Sequence, residues 1–108
     1  MINSDALKGY NDIMILSILI EGDSYGYEIS KRIRDITNNK YLIKETTLYS
    51  AFNRLEKNGH IEKYSGTQTF GKQRNYYKIT PSGKDYYSKR CDEWRDTVVI
   101  VNNFIKEG

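Results

Sequence analysis

The pattern of apolar positions predicts a helix near the start of the chain. Residues 5–21 are strongly apolar, and Asp5 is suited to cap their first turn. The side of this helix expected to be buried carries Leu16, Leu19 and Ile20. Gly22-Asp23 ends the pattern, so we expect the first helix over residues 5–21.

A second helix is expected over residues 25–37, because Ser24 is a suitable cap directly before it. Its apolar stripe, spaced by four and three residues, consists of Ile29, Ile33 and Ile36. Asn38-Asn39 interrupts the pattern. Residues 41–43 would then form a short extended segment leading into a third helix.

The third helix covers the sequence TTLYSAFNRLEKNG, residues 46–59, and has two contrasting sides. One side is apolar and carries Leu48, Phe52 and Leu55. The opposite side is polar and carries Thr46, Ser50, Asn53 and Lys57. Asn58-Gly59 predicts a left-handed helix end at this point.

A β-hairpin is expected directly after the third helix. Residues 60–64 alternate so that Ile61 faces inward, and residues 75–80 are rich in β-forming side chains. Residues 65–74 between them form a polar turn with two glycines. Pro81-Ser82-Gly83 then interrupts the chain.

A long last helix follows to about Ile105, and it carries a seam typical of helix pairing. Apolar residues spaced by four and three form this seam, namely Tyr87, Cys91, Trp94, Val98, Val101 and Ile105. Residues 97–101 also have strand propensity, but the seam on both sides favours a helix. The expected cover is the first helix and the same helix of a second subunit, and packing within one chain is the alternative.

The order helix, helix, helix, hairpin, helix is that of the winged helix-turn-helix, a mostly α member of the α+β class. Residues 1–80 would form the DNA-binding unit and residues 81–108 the C-terminal dimerisation helix, packed as one compact unit. In this plan the third helix offers its polar side to the major groove of double-stranded DNA, where Asn and Arg suit adenine and guanine. An ordinary amphipathic surface helix is the alternative interpretation.

Composition narrows the class of protein further. The net charge is +3, and between positions 72 and 90 six basic residues stand against one acid, Asp85. This bias is compatible with a polyanion or with a solvated surface. A hydrophobic fraction of 38%, with no apolar run of roughly 18 to 20 residues and no signal peptide, predicts a cytoplasmic protein. No phosphate loop, metal-ligand spacing or nucleophile–base pattern occurs, so we expect no enzymatic activity, cofactor or metal.

Three segments together resemble the PadR family of bacterial transcription regulators, particularly its short members related to multidrug-sensing repressors. They are YGYEISKRI (25–33), TLYSAFNRLEKNGHIEKY (47–64) and RNYYKITPSGKDY (74–86). The resemblance implies a homodimeric repressor of transporter or stress genes. Dimerisation would place two recognition helices on a pseudo-palindromic operator. Family members often cap the recognition helix well, whereas Lys44 or Glu45 opens it here, so Thr46 is the alternative cap.

The residues expected to contact DNA lie in the second helix, the recognition helix and the wing. They are Tyr25, Lys44, Thr46, Thr47, Tyr49, Ser50, Asn53, Arg54, Lys57, Lys72 and Arg74. The family often has several arginines at the wing, so Lys72 and Arg74 predict a weaker contact there. A winged helix that docks proteins without touching DNA is the alternative function.

The resemblance also implies a planar aromatic effector, because in drug-sensing members an aromatic residue at the position of Trp94 lines a cavity at the dimer centre. Two facing indoles would hold such a compound by stacking and cation–π attraction. The expected lining is Trp94, Tyr87, Arg90, Cys91, Val98, Gly9, Asp12 and Ile13. Asp12 would favour a cation and Arg90 would oppose one. The alternative is that Trp94 is a core residue of the subunit interface.

Overall fold

The computed structural model describes residues 4–67 and 73–106, and within them the predicted order of elements is confirmed. The helices are α1 (Asn11–Glu21), α2 (Gly26–Ile36), α3 (Glu45–Lys57) and α4 (Pro81–Asn102), preceded by a 3₁₀ turn at Ser4–Leu7. The strands are β1 (Ser24–Tyr25), β2 (Ile61–Thr67) and β3 (Gln73–Ile79). They form one antiparallel sheet in the order β1-β3-β2.

The core lies where α1, α2 and α3 meet the sheet. Ile15 and Leu16 of α1, Ile29 of α2 and Phe52 of α3 have no exposed surface. Tyr77 of β3 is buried against them. Three helices and a hairpin around one such core form a winged helix-turn-helix, as the sequence predicts.

The first helix begins later than predicted. Residues 4–7 form a separate 3₁₀ turn, and the Tyr10 N–H donates to the Leu7 carbonyl at 2.9 Å. The Gly9 carbonyl accepts a hydrogen bond from the Arg90 guanidinium of α4. In a continuous helix the Gly9 carbonyl would accept an intrahelical hydrogen bond. Here the contact with Arg90 satisfies it instead.

Two isoleucines predicted to be buried are exposed, Ile20 by 44% and Ile36 by 64%. Because α1 is apolar nearly all round, spacing alone did not decide which side faces the core, and Ile18 is buried in place of Ile20. Ile36 lies in the last turn of α2, beyond the part of the stripe that packs.

Ser24 does not cap α2, contrary to the prediction. It lies in the two-residue strand β1, opposite Tyr77, and its hydroxyl donates to the Glu28 carboxylate. Tyr25 occupies the cap position without a side-chain cap bond. Residues 41–43 adopt no regular element, although Tyr41 is buried and its hydroxyl donates to Asn11 Oδ1 at 2.7 Å.

Of the predictions for the two ends of α3, the one for Thr46 is wrong and the one for the C-terminal end is confirmed. Lys44 precedes the first helical residue, Glu45, so Thr46 lies inside the first turn and is not the cap. The predicted left-handed end is confirmed by the φ of 78° at Gly59. The Gly59 N–H donates to Glu56 and the His60 N–H to Leu55, at 3.0 and 2.9 Å, which is a Schellman motif.

The hairpin strands extend further than predicted, since pairing continues to Gly66↔Arg74 and Thr67↔Gln73. Gly66 does not mark a turn. It makes room for the ring of Tyr76, which a Cβ at this position would overlap. The middle of the predicted turn, 68–72, lies outside the described residues.

Pro81-Ser82-Gly83 is the first turn of α4 and not a break, because Pro81 occupies a position that needs no N–H. Thr80 caps the helix, and its hydroxyl oxygen accepts from the Gly83 N–H at 3.0 Å. Residues 97–101 are helical, so the strand alternative is wrong. The helix ends at Asn102, three residues before the predicted end.

The last part of α4 and the residues directly after it expose a run of apolar side chains. The exposed fraction is 65% at Val99, 59% at Ile100 and 77% at Phe104. Within the described residues, no helix has both the length and the apolar character that a membrane span needs.

Candidate nucleic-acid interface

The polar side of α3 is turned outward. Thr46, Ser50, Asn53 and Lys57 are all exposed, whereas Leu48, Phe52 and Leu55 on the opposite side are buried. The two sides therefore lie as the sequence predicts. Asn53 has a carbonyl acceptor and an amide donor in one plane, the pairing that an adenine edge requires.

Aromatic stacking fixes α3 on the sheet. The rings of Phe52 and Tyr77 are stacked with centroids 4.1 Å apart and planes inclined by 23°. The ring of Tyr49 meets the edge of Phe52 at 5.3 Å. Since Phe52 has no exposed surface, these contacts set the direction in which Asn53 and Ser50 point.

One flank of α3 opens into a cleft of about 340 Å³, which we call the Arg74 cleft. Its lining is Tyr25, Gly26, Tyr27, Tyr49, Arg74 and Asn75. The Arg74 guanidinium lies 4.1 Å from the centre of the Tyr25 ring, a cation–π contact. Tyr49 approaches α2 because Gly26 has no side chain, and a Cβ there would overlap the Tyr49 hydroxyl.

The other flank borders a polar groove of about 260 Å³, which we call the Arg54 groove. Its lining is Lys8, Asn11, Thr46, Thr47, Ser50, Ala51 and Arg54. Lys8 was not among the predicted residues. It comes to this groove because the chain directly after the 3₁₀ turn lies beside α3, a placement that no local sequence pattern indicates.

Arg54 is held by a buried acid. The side chain of Asp12 is 7% exposed, and its Oδ1 accepts from the Arg54 guanidinium. The Tyr86 hydroxyl of α4 donates to Asp12 Oδ2 at 2.8 Å. Burial and this hydrogen bond both raise the pKa of the Tyr86 hydroxyl. Asp12 therefore points towards α3 and α4, and it is not among the described residues that line the cavity beside Trp94.

Lys44 and Lys57 are exposed at the two ends of α3, and Thr47 is half-buried. Tyr25 is half-buried at the base of the wing. Lys72, predicted at the wing, lies outside the described residues.

The predicted effector residues divide between several places. Trp94 and Ile13 line an apolar cavity of about 190 Å³ together with Leu7, Tyr10 and Met14. The Trp94 ring is 45% exposed and meets the Tyr10 ring edge-on, with centroids 4.8 Å apart.

The other predicted members lie elsewhere or are held by other contacts. Tyr87 lines a neighbouring cavity of about 210 Å³ between α1 and α2, which shares Ile13 and Met14 with the first. Arg90 donates to the Gly9 carbonyl, so both are engaged in joining α4 to the start of α1. Cys91 and Val98 are half-buried along α4.

The single histidine, His60, packs against the start of α4. The His60 ring stacks on the Tyr86 ring at 4.3 Å with planes inclined by 7°, and its Nδ1 lies 3.0 Å from the Ser82 hydroxyl. In the described part of the chain, no three His, Cys, Asp or Glu side chains are grouped as metal ligands.

A winged helix-turn-helix whose third helix is exposed between two grooves is an architecture typical of DNA-binding transcription regulators. The chain belongs to the PadR-like family of transcriptional regulators, whose family model matches residues 15–89. The resemblance drawn from the sequence is thereby confirmed.

Solved structures of two regulators are similar over nearly the whole chain. A transcriptional regulator from Clostridium thermocellum is 59% identical, with a TM-score of 0.89 over 94% of this chain and 99% of that chain. A PadR family transcription regulator from Clostridium difficile R20291 is 39% identical, with a TM-score of 0.77 over 91% of this chain and 100% of that chain.

A more distant structure is that of Bacillus subtilis PadR in complex with operator DNA. It is 22% identical and has a TM-score of 0.67 over 75% of this chain and 47% of that chain. This likeness shows a common fold.

Proposed function

We propose that the protein is a homodimeric repressor that binds a pseudo-palindromic DNA operator through the polar side of α3. The observation that carries the proposal is the exposure of Asn53 on this side, in line with Ser50 and Lys57. A buried apolar side opposite keeps it outward. Bacillus subtilis PadR, which has this fold, is known with operator DNA.

Base contacts and backbone contacts divide between different residues in this proposal. Asn53, Ser50 and Thr46 face the base edges. Tyr25, Tyr49, Lys44, Lys57 and Arg74 would contact phosphates at the flanks, and Thr47 and Arg54 border the remaining groove. Cationic contacts release counterions, so affinity would fall steeply with salt.

The exposed apolar residues at the end of α4 and directly after it support dimerisation. Val99, Ile100 and Phe104 are each more than half exposed, an arrangement more typical of a subunit interface than of a monomer surface. Two α3 helices related by a twofold axis would enter major grooves about 34 Å apart.

The decisive experiment uses DNA from upstream of the protein's own gene. Footprinting is expected to locate a palindrome, and fluorescence anisotropy at two salt concentrations measures affinity. Asn53→Ala is expected to change the preference among single-base operator variants by about 1–3 kcal/mol at one position. In vitro transcription from the same promoter is expected to fall when the protein is added.

Asn103→Ala is the matched control, because this asparagine is exposed beyond the end of α4 and remote from α3. It is expected to bind every operator variant as the unaltered protein does. A protein that binds no duplex even at low salt would support the alternative, a winged helix that docks other proteins.

An effector at the subunit interface is a second part of the proposal, favoured by the apolar cavity beside Trp94. A planar aromatic cation would stack on the indole there. Because Trp94 is the only tryptophan, its fluorescence reports the site directly. Titration with ethidium in the absence of DNA is expected to quench it, whereas a flat titration would leave Trp94 as an interface residue only.

A further inference from the structure

We propose that Arg54 and Lys8 together hold a phosphate of the DNA backbone in the Arg54 groove, and that Asp12 is the positioning residue that fixes Arg54 for this contact. The inference rests on the proposed function and deepens it. It assigns Arg54 to the backbone instead of the bases, and it adds Lys8, which directly follows the 3₁₀ turn, to the DNA-contacting residues.

The direction of Arg54 follows from helix geometry. Neighbouring residues on an α-helix are rotated by about 100° relative to each other, because one turn takes about 3.6 residues. When Asn53 faces the base edges, Arg54 therefore points sideways. The major groove is about 12 Å wide, little more than a helix with its side chains, so a phosphate strand passes along each flank.

The chemistry of the groove suits a phosphate. Lys8 and Arg54 supply two cations, and Thr46, Thr47 and Ser50 supply hydroxyls. Among the residues that the structure describes, none of those that line it is acidic. Arg and Lys are the two side chains that bind phosphate most readily, and hydroxyls add donors for its remaining oxygens.

Asp12 fixes the guanidinium before DNA arrives. Its two carboxylate oxygens are divided, one accepting from Arg54 and the other from the Tyr86 hydroxyl. The carboxylate is buried, whereas the Arg54 side chain remains 51% exposed. Arginine has five N–H donors, so a pair with Asp12 leaves others for a phosphate. Holding one rotamer in advance lowers the entropy lost on binding.

Each flank of α3 then carries an arginine that can contact a phosphate. Arg74 and Tyr25 lie on one side in the Arg74 cleft, and Arg54 and Lys8 lie on the other. A helix inserted between two phosphate strands would be fixed from both sides, and Asn53 would keep its register on the bases.

The first test measures Lys8→Ala and Arg54→Gln on the operator and on an unrelated duplex over a range of KCl concentrations. Each variant is expected to bind both duplexes about ten-fold more weakly, as for the loss of one charge-assisted hydrogen bond. Each is expected to reduce the slope of log affinity against log salt by about one, with base preference unchanged. Lys89→Ala, which removes an exposed lysine of α4, is the control and keeps full affinity.

The second test separates positioning from charge and from general damage. Asp12→Asn makes the protein more basic, yet we expect it to weaken DNA binding about as much as Arg54→Gln. In the Arg54→Gln background, Asp12→Asn is expected to cause no further loss. An electrostatic role alone would strengthen binding, and general structural damage would persist in both backgrounds.

Thermal unfolding checks that each variant is folded. If Asp12→Asn does not fold, Tyr86→Phe removes only the hydrogen bond to Oδ2 and is expected to weaken binding about three-fold, again only while Arg54 is present. A change of base preference in Arg54→Gln would overturn the assignment to the backbone.

Full affinity of Lys8→Ala and Arg54→Gln, with base preference still changed in Asn53→Ala, would overturn the phosphate site and leave the proposed function standing. Failure of the unaltered protein to bind any duplex would instead contradict the proposed function itself.

Discussion

The α-carbon of Gly83 lies directly against the backbone carbonyl of His60, so closely that a Cβ on residue 83 would overlap the oxygen. This contact joins the first turn of α4 to the start of the wing, and the Thr80 N–H reinforces it by donating to the same carbonyl at 3.1 Å. Both partners are backbone atoms, so no side-chain rotation relieves an overlap.

Gly83→Ala is therefore expected to lower the free energy of unfolding by about 1–3 kcal/mol, because α4 must move away from the wing. Urea unfolding at one fixed protein concentration measures the change. Gly22→Ala is the matched control, since Gly22 is exposed with open space around it. Equal stability of the two variants would contradict the close contact.

Phe52 is expected to contribute more to stability than any exposed ring, because it has no exposed surface and stacks on Tyr77. Phe52→Ala removes these contacts and leaves a cavity, which costs about 3–5 kcal/mol. The same urea series tests this expectation. Tyr27→Ala removes a ring that is 70% exposed and is expected to change stability by less than about 1 kcal/mol. A similar loss in both variants would count against Phe52 as the centre of the core.

Local sequence patterns were sufficient to predict the elements whose physical cause lies in neighbouring residues. The two sides of α3 follow from a helical period. Its end follows from Asn58-Gly59, because few residues other than glycine adopt the positive φ found at Gly59. The hairpin follows from two β-rich segments. In each case the physical cause lies within a few residues, so one sequence without relatives indicates it.

Contacts between distant segments were not accessible in this way. Asp12 and Arg54 are 42 residues apart, and their pairing depends on how α1 packs beside α3. Helical spacing alone therefore predicted Asp12 at an effector cavity. Lys8 was missed for the same reason, and Ser24 was taken for a cap because a two-residue strand has no periodic signal. Exposure of Asn53 was predictable, whereas the groove beside it was not.

Stability is expected to fall at alkaline pH, because burial raises the pKa of the Tyr77 hydroxyl above 10.0 and nearby Tyr49 and Glu56 add to the effect. The folded state then holds this proton at pH values where the unfolded state has released it. Stability is thus unaffected below the unfolded pKa and is lost as the pH rises above it. Urea unfolding between pH 8 and pH 11 would show this slope, because that range includes the usual pKa of tyrosine, about 10.

Tyr77→Phe removes the ionisable group and is expected to flatten this alkaline slope. Tyr27→Phe, which alters an exposed tyrosine, is the control and is expected to keep it. An unchanged slope in Tyr77→Phe would show that other groups cause the alkaline loss, with Tyr41, also buried and with a raised pKa, the next to replace.

Val101 tests whether α4 forms the subunit interface, since it lies on the predicted seam and is 48% exposed in one chain. Val101→Glu would place two carboxylates near the twofold axis, where each loses water without gaining a partner. We expect sedimentation equilibrium at micromolar concentration to show a dimer for the unaltered protein and a monomer for this variant. Ser88→Glu, which adds the same charge at an exposed polar position in the first half of α4, is expected to remain dimeric. Because one α3 helix makes only half of the base contacts, the Val101→Glu monomer would also bind the operator far more weakly than the control. A dimer that persists in Val101→Glu would move the interface away from this seam.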